Sequence, residues 1–154
     1  MKMENRVSEN LILEISRVIR APRARVFAAF SSVDELKKWF GAGECHVIEG
    51  ELDFRVGGEY RLRMFTTDMG EADLVGTFRE IVDGERIVYT WEWQDNENMK
   101  WGQMLVPVSL LDVDGGTEVR ILHEGIPAAE VCEGHRDGWS GSFDKLGRRY
   151  GGGD

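Results

Sequence analysis

Residues 127–150 read PAAEVCEGHRDGWSGSFDKLGRRY, and the fold turns on what this segment becomes. Val131, His135, Trp139, Phe143 (or Ser142), Leu146 and Tyr150 recur three or four residues apart, the spacing that stacks side chains on one face of an α-helix. Glu130 lies near the start, with Lys145, Arg148 and Arg149 near the end, the charge order a helix dipole favours. Against this, Gly134, Gly138, Gly141 and Gly147 interrupt the segment, each costing about 1 kcal/mol relative to alanine. Such a helix does not hold itself. It needs a sheet to lie against, and its glycines let a backbone or a ligand come close.

The preceding chain supplies the sheet. Leu11–Arg20 (LILEISRVIR) is rich in β-branched residues and reads as a strand, with Leu11, Leu13, Ile15, Arg17 and Ile19 on one face. Pro22 opens a short helix through about Phe30. Ser32-Val-Asp-Glu35 is a capping-box pattern for a second helix. That helix carries Leu36, Trp39 and Phe40 on one side and stops at Gly41. From Glu44 to Glu124 the pattern is strands. Tyr60, Leu62 and Met64 alternate with Glu59, Arg61 and Arg63. Leu74–Val82 follows, and Asp83-Gly84 predicts a two-residue hairpin turn. Ile87, Tyr89, Trp91 and Trp93 then share a face. A polar turn at Asp95–Asn98 leads to Trp101–Leu111, and Asp114-Gly115-Gly116 turns into Thr117–Glu124. Consecutive strands with short turns favour an antiparallel meander.

A chain of 154 residues suits one domain, here 10–150, with residues 1–9 and 151–154 expected to be disordered. Hydrophobic residues make up 42% and charged residues 31%, the balance of a water-soluble fold. No apolar run approaches the roughly 20 residues of a membrane span, and the polar N-terminus MKMENRVSEN lacks a signal-peptide core. The expected location is cytoplasmic, with no membrane partner. The net charge of -9, from 28 acidic and 19 basic residues, repels phosphate backbones and argues against nucleic acid. The basic group Arg17, Arg20, Arg23 and Arg25 reads as solvated strand and helix faces. Cys45 and Cys132 read as free thiols.

The order of elements and several motifs resemble a known family. The stretches are ISRVIRAPRARVFAAF (15–30), Trp39-Phe40-Gly41, Val56-Gly57-Gly58, Gly76-Thr-Phe-Arg-Glu80, Arg86-Ile-Val-Tyr-Thr-Trp91, Gly116-Thr-Glu-Val119, and His135-Arg-Asp-Gly-Trp139 with Leu146. They resemble bacterial-type members of the heat-shock-protein-90 ATPase activator homologue family, within the START-related (SRPBCC) superfamily of polyketide cyclase and lipid-transport proteins. The resemblance runs from about residue 12 to 150. It implies an α+β helix-grip fold, a curved antiparallel sheet wrapped around the long C-terminal helix with an internal cavity between them. Members of the superfamily bind hydrophobic small molecules, catalyse cyclisation or hydration, or contact protein partners, so the fold does not fix the function.

The ligand-binding candidates are Trp39, Tyr60, Met64, Glu80, Trp91, Trp93, Met104, His123, Trp139 and Phe143. Flat rings suit aromatic or isoprenoid ligands; the same rings also serve simply to fill a core. Glu80 follows the alternation of Leu74, Gly76 and Phe78, and Arg17 shares its face with leucine and isoleucine. An inward charge must be paired or functional, so one or both are expected at the cavity or its rim, paired with each other, with a solvated strand end as the alternative. Cys45, His46, Cys132 and His135 lack the spacing of a zinc site, and no metal or cofactor is expected. No nucleophile elbow or phosphate loop is present. An acid–base enzyme of this architecture would draw on His123, Glu80 and Tyr60. Three functions remain open: binding of a small hydrophobic molecule, which the sequence favours; cyclase- or dehydratase-like acid–base chemistry on a similar molecule; and a chaperone-associated interaction module with a protein partner. Either a monomer or a homodimer fits.

Overall fold

The computed structural model describes residues 10–151. The terminal stretches 1–9 and 152–154, expected to be disordered, lie outside the described residues. Gly151, grouped with that tail, is buried, and its N–H donates to the Gly147 carbonyl (2.8 Å).

Seven antiparallel strands form the sheet: β1 (Leu11–Ile19), β2 (His46–Leu52), β3 (Glu59–Thr66), β4 (Gly70–Val82), β5 (Arg86–Gln94), β6 (Met104–Val113) and β7 (Gly116–Ile126). Their order is β1-β7-β6-β5-β4-β3-β2. The last six strands are a meander, and β1 closes onto its final member, with Leu13 opposite His123 and Ile19 opposite Thr117. Two short helices, α1 (Arg23–Ala28) and α2 (Val33–Leu36), carry the chain from one edge of the sheet to the other. The long helix α3 (Ala129–Tyr150) returns to pack on β1 and β7. This is the α+β helix-grip architecture, an open curved sheet holding a C-terminal helix.

The helix stripe forms as its spacing requires: Val131, His135, Trp139, Ser142, Phe143 and Leu146 are all buried. Arg17 is an inward charge, and its partner is α3: Nη1 donates to Asp144 Oδ1 (2.9 Å) while the guanidinium lies 5.7 Å from the Phe143 ring centre. The expected pairing of Arg17 with Glu80 does not occur.

Irregularities in β4 place several side chains. Phe78 is opposite Tyr89, but Glu80 is opposite Val88, so Arg79 is an extra residue, a β-bulge. The bulge flips the alternation. Ile81 takes the inward phase opposite Ile87, while Glu80 turns out to solvent and accepts from Arg86 Nε (3.1 Å). Just before it, Gly76 lies so close to β5 that a Cβ there would sit 2.0 Å from the Thr90 carbonyl oxygen and 2.7 Å from the Tyr60 ring. The missing side chain lets the Tyr60 hydroxyl donate to that carbonyl (2.6 Å). The β4–β5 turn is also one residue longer than expected: Val82 pairs with Arg86 across Asp83, Gly84 and Glu85.

Candidate functional site

The space between sheet and helix divides in two. Toward α1 and α2 it is packed with side chains, Phe30, Phe40, Tyr60, Phe78 and Tyr89 among them, and only about 30 Å³ remains. That is room for about one water, in walls too apolar to hold one. The larger volume, about 670 Å³, is a groove along the N-terminal half of α3. It is bounded by the Gly41–Cys45 loop, the β3–β4 turn (Thr67–Met69) and the end of β5 with Met99 and Trp101. The expected internal cavity is therefore a groove open to the surface, adjoining a filled interior.

The wall opposite the sheet is made by glycine. A Cβ on Gly134 or Gly138 would meet nothing within 4 Å, and both residues line the groove. Gly141, one turn on, does the opposite. A Cβ there would lie 2.3 Å from the Ala42 Cβ, so α3 and the loop nearly touch. The contact is fastened from both sides: the Gly41 N–H donates to Ser142 Oγ (2.8 Å) and Lys145 Nζ to the Cys45 carbonyl (3.1 Å). Gly41 has φ of +120°, a conformation that L side chains rarely adopt, which lets the chain turn from Phe40 into this loop.

Of the sequence candidates, Met64, Trp91, Trp93 and Trp139 line the groove. His123 and Met104 stand behind it, with His123 fully buried. Tyr60 lines the small void, Phe143 is sealed in the core, and Trp39, which lines neither space, donates its indole N–H to the Ala29 carbonyl (2.9 Å). Glu80 is outside both spaces because of the bulge. Sequence reasoning missed Phe40, Met69, Met99 and Trp101 as groove residues, and it placed His135 on the helix stripe without counting it among the ligand-binding candidates. The signal for the helix wall was present in Gly134 and Gly138, four residues apart beside His135 and Trp139. For the turn and the Met99–Trp101 segment there was no periodicity to read.

Two indole–imidazole pairs form the floor. Trp93 Nε1 donates to His135 Nε2 (3.1 Å), and His135 Nδ1 lies 2.8 Å from the Val131 carbonyl. Since an indole only donates, His135 Nε2 is the bare nitrogen and Nδ1 carries the proton. Trp139 Nε1 likewise donates to His123 Nδ1 (3.1 Å), leaving Nε2–H to face Met104 Sδ (3.2 Å). Burial pushes both imidazoles below their ordinary value, His123 well below, with His135 (ring centres 4.9 Å apart) adding to the effect on His123. Both rings are neutral, and all four nitrogens are engaged inside the protein. Burial also raises the Tyr60 hydroxyl well above its ordinary value.

On the same wall, Trp91 is 4% exposed and its Nε1 has no acceptor among the described residues. An unpaired buried donor costs about 1–3 kcal/mol, so its presence on a groove wall calls for an explanation. Among the described residues no group of three or more His, Cys, Asp or Glu is placed to hold a metal. Cys45, on the groove, and Cys132 are both free. No helix there is long and apolar enough to cross a membrane.

Solved structures share this architecture. Protein CV1439 from Chromobacterium violaceum is 33% identical, with 90% of this chain and 96% of that chain covered and a TM-score of 0.77. A putative uncharacterized protein from Rhizobium leguminosarum is 30% identical over 90% and 93% of the two chains, with a TM-score of 0.76. At 21% identity, the AHSA1 protein SPO3351 from Silicibacter pomeroyi shares the fold at a TM-score of 0.77, over 90% and 96%. No curated protein matches the chain. The family model described as Activator of Hsp90 ATPase homolog 1-like protein matches residues 20–150, and the chain belongs to that family.

Proposed function

We propose that the protein binds a small hydrophobic or aromatic molecule in the groove between α3 and the ends of β3 and β5. One observation carries the reading. A volume of about 670 Å³, within the roughly 300–1,000 Å³ of ligand sites, is walled by Trp91, Trp93, Trp101 and Trp139 and kept clear by two glycines that nothing else uses. Each of those glycines costs helix stability, and the unpaired Trp91 N–H adds a second cost on the same wall.

Acid–base chemistry on such a ligand has less support. Tyr60 is committed to the Thr90 carbonyl, Glu80 to Arg86 at the surface, and His123 to Trp139 and Met104. These three do not meet in one place. A protein-interaction role has no specific feature of the described residues behind it.

The reading is tested by native mass spectrometry on freshly purified protein, and by calorimetric titration with naphthylethanol, a neutral aromatic probe. The expected result is one-to-one uptake by the wild type. The double variant Gly134→Leu with Gly138→Leu, whose side chains would fill the groove, should bind at least about tenfold more weakly while unfolding no earlier. Equal binding by the filled variant would place the ligand elsewhere and overturn the proposal.

A further inference from the structure

The mouth of the groove carries charge of one sign. Glu44 comes from the loop after Gly41, Asp68 from the β3–β4 turn, Glu130 from the first turn of α3 and Asp137 from its middle. All four are exposed, and they are the only charged residues on the groove wall among the described residues. The basic side chains of the adjoining segments are directed elsewhere. Lys38 pairs with Glu35 (3.5 Å), Lys100 with Glu97 (3.3 Å) and Arg136 with Glu133 (3.6 Å), while Lys145 holds the Cys45 carbonyl (3.1 Å). Four carboxylates thus border one opening with no ion-pair partner among the described residues, and the Lys145 ammonium is held at the Cys45 carbonyl.

Inside that opening the walls are indole. The two cation–π contacts among the described residues lie elsewhere, Arg17 on Phe143 and Arg25 on Tyr150, so no cation of those residues occupies the faces of the groove tryptophans. An aromatic face attracts a cation through its quadrupole, and a cleft lined by one sign of charge concentrates ions of the other. A fatty acid or another anionic amphiphile would bring its carboxylate among four like charges.

We infer that the groove selects an organic cation, a quaternary or protonated amine on an aromatic body, with its head between the carboxylates and the indole faces and its body among Trp91, Trp93 and Trp139. The inference rests on the reading of the groove as a ligand site. The unpaired N–H of Trp91, which does not depend on the acidic rim, belongs to a residue of the same wall.

The test is calorimetric titration of the full chain with three probes of matched shape: naphthylethyl-trimethylammonium, naphthylethanol and naphthylpropanoate. The cation should bind about tenfold more tightly than the alcohol, and the carboxylate more weakly than either. Raising ionic strength to about 0.5 M should shrink the cation's advantage by screening. Glu130→Gln with Asp137→Asn should reduce the cation's affinity by about tenfold, with folding checked by urea titration. Equal affinity for cation and alcohol, or a preference for the carboxylate, overturns the charge inference and leaves the groove as a ligand site. Failure of all three probes to bind the wild type overturns both.

Discussion

His123 and His135 show how single side chains commit the site to one protonation state. Each has an indole N–H aimed at one ring nitrogen, at 3.1 Å in both cases, so a proton added there would set two donors against each other. Trp139→Phe removes the N–H from His123 and leaves a fully buried acceptor unpaired. A loss of about 2 kcal/mol or more is expected by urea unfolding, from the lost bond and the vacated volume together; a loss below about 0.5 kcal/mol would remove the bond as a structural element. The same pairs set a pH dependence. Both folded-state values lie below the ordinary 6.5, so as pH falls from about 6.5 the unfolded chain takes up protons that the folded chain refuses. Stability is therefore full above about pH 6.5 and declines as pH drops toward the folded values. Calorimetry near pH 6 should record uptake of roughly one to two protons on unfolding; no uptake would mean the rings titrate freely. A second decline begins near 4.5, where Glu35 of the unfolded chain takes up a proton that the folded carboxylate, lowered first by the Tyr150 hydroxyl and then by Arg25 and Lys38, refuses until lower pH.

At the scale of elements, α3 uses chemically identical residues for opposed ends. Gly138→Ala adds a methyl into open space and should stabilise the helix by about 0.5–1 kcal/mol. Gly141→Ala drives a methyl against Ala42 and should destabilise by about 1–3 kcal/mol as the loop shifts. Thermal unfolding of the two variants should move in opposite directions; shifts of the same sign would refute the division of roles. The sequence offers both roles, close approach of a backbone or of a ligand, but does not say which glycine takes which. The stripe itself was legible, because 3.6-residue periodicity survives interruption. So were the strands that alternate cleanly, such as Tyr60, Leu62 and Met64. Glu80 was misread because a bulge at Arg79 changes no residue type; only the partner strand shows that the phase has slipped. The capping box was legible by half. Ser32 Oγ accepts from the Glu35 N–H (3.1 Å), but the Glu35 carboxylate accepts from the Tyr150 hydroxyl of α3, a partner 115 residues away that no local pattern announces.

For the molecule as a whole, the topology divides rigidity unevenly. β1, β7 and α3 form one packed unit, with Leu13, Val119, Ile121, Phe143 and Leu146 fully buried. The groove lies where α3 leaves that unit and faces loops instead: Gly41–Cys45, Thr67–Met69 and Met99–Trp101. Amide hydrogen exchange should be slowest in β6 and β7 and fast in those loops and the first turns of α3, with slowing confined to the groove segments when a ligand is added. Uniform slowing would indicate a global effect rather than occupancy of the groove. The family resemblance carried the overall shape well, since seven strands and one long helix leave few other arrangements. It said less about the opening, which depends on turns whose sequences vary without altering the fold.

The distribution of indoles has an optical consequence. Of five tryptophans, four border the groove, while Trp39 is 1% exposed and tied to the Ala29 carbonyl. Excited at the indole band, the protein carries its own reporters and its own reference: four emitters sensitive to whatever enters, and one screened from it. Quenching that stops short of the last fraction of emission would read occupancy directly, with no label attached.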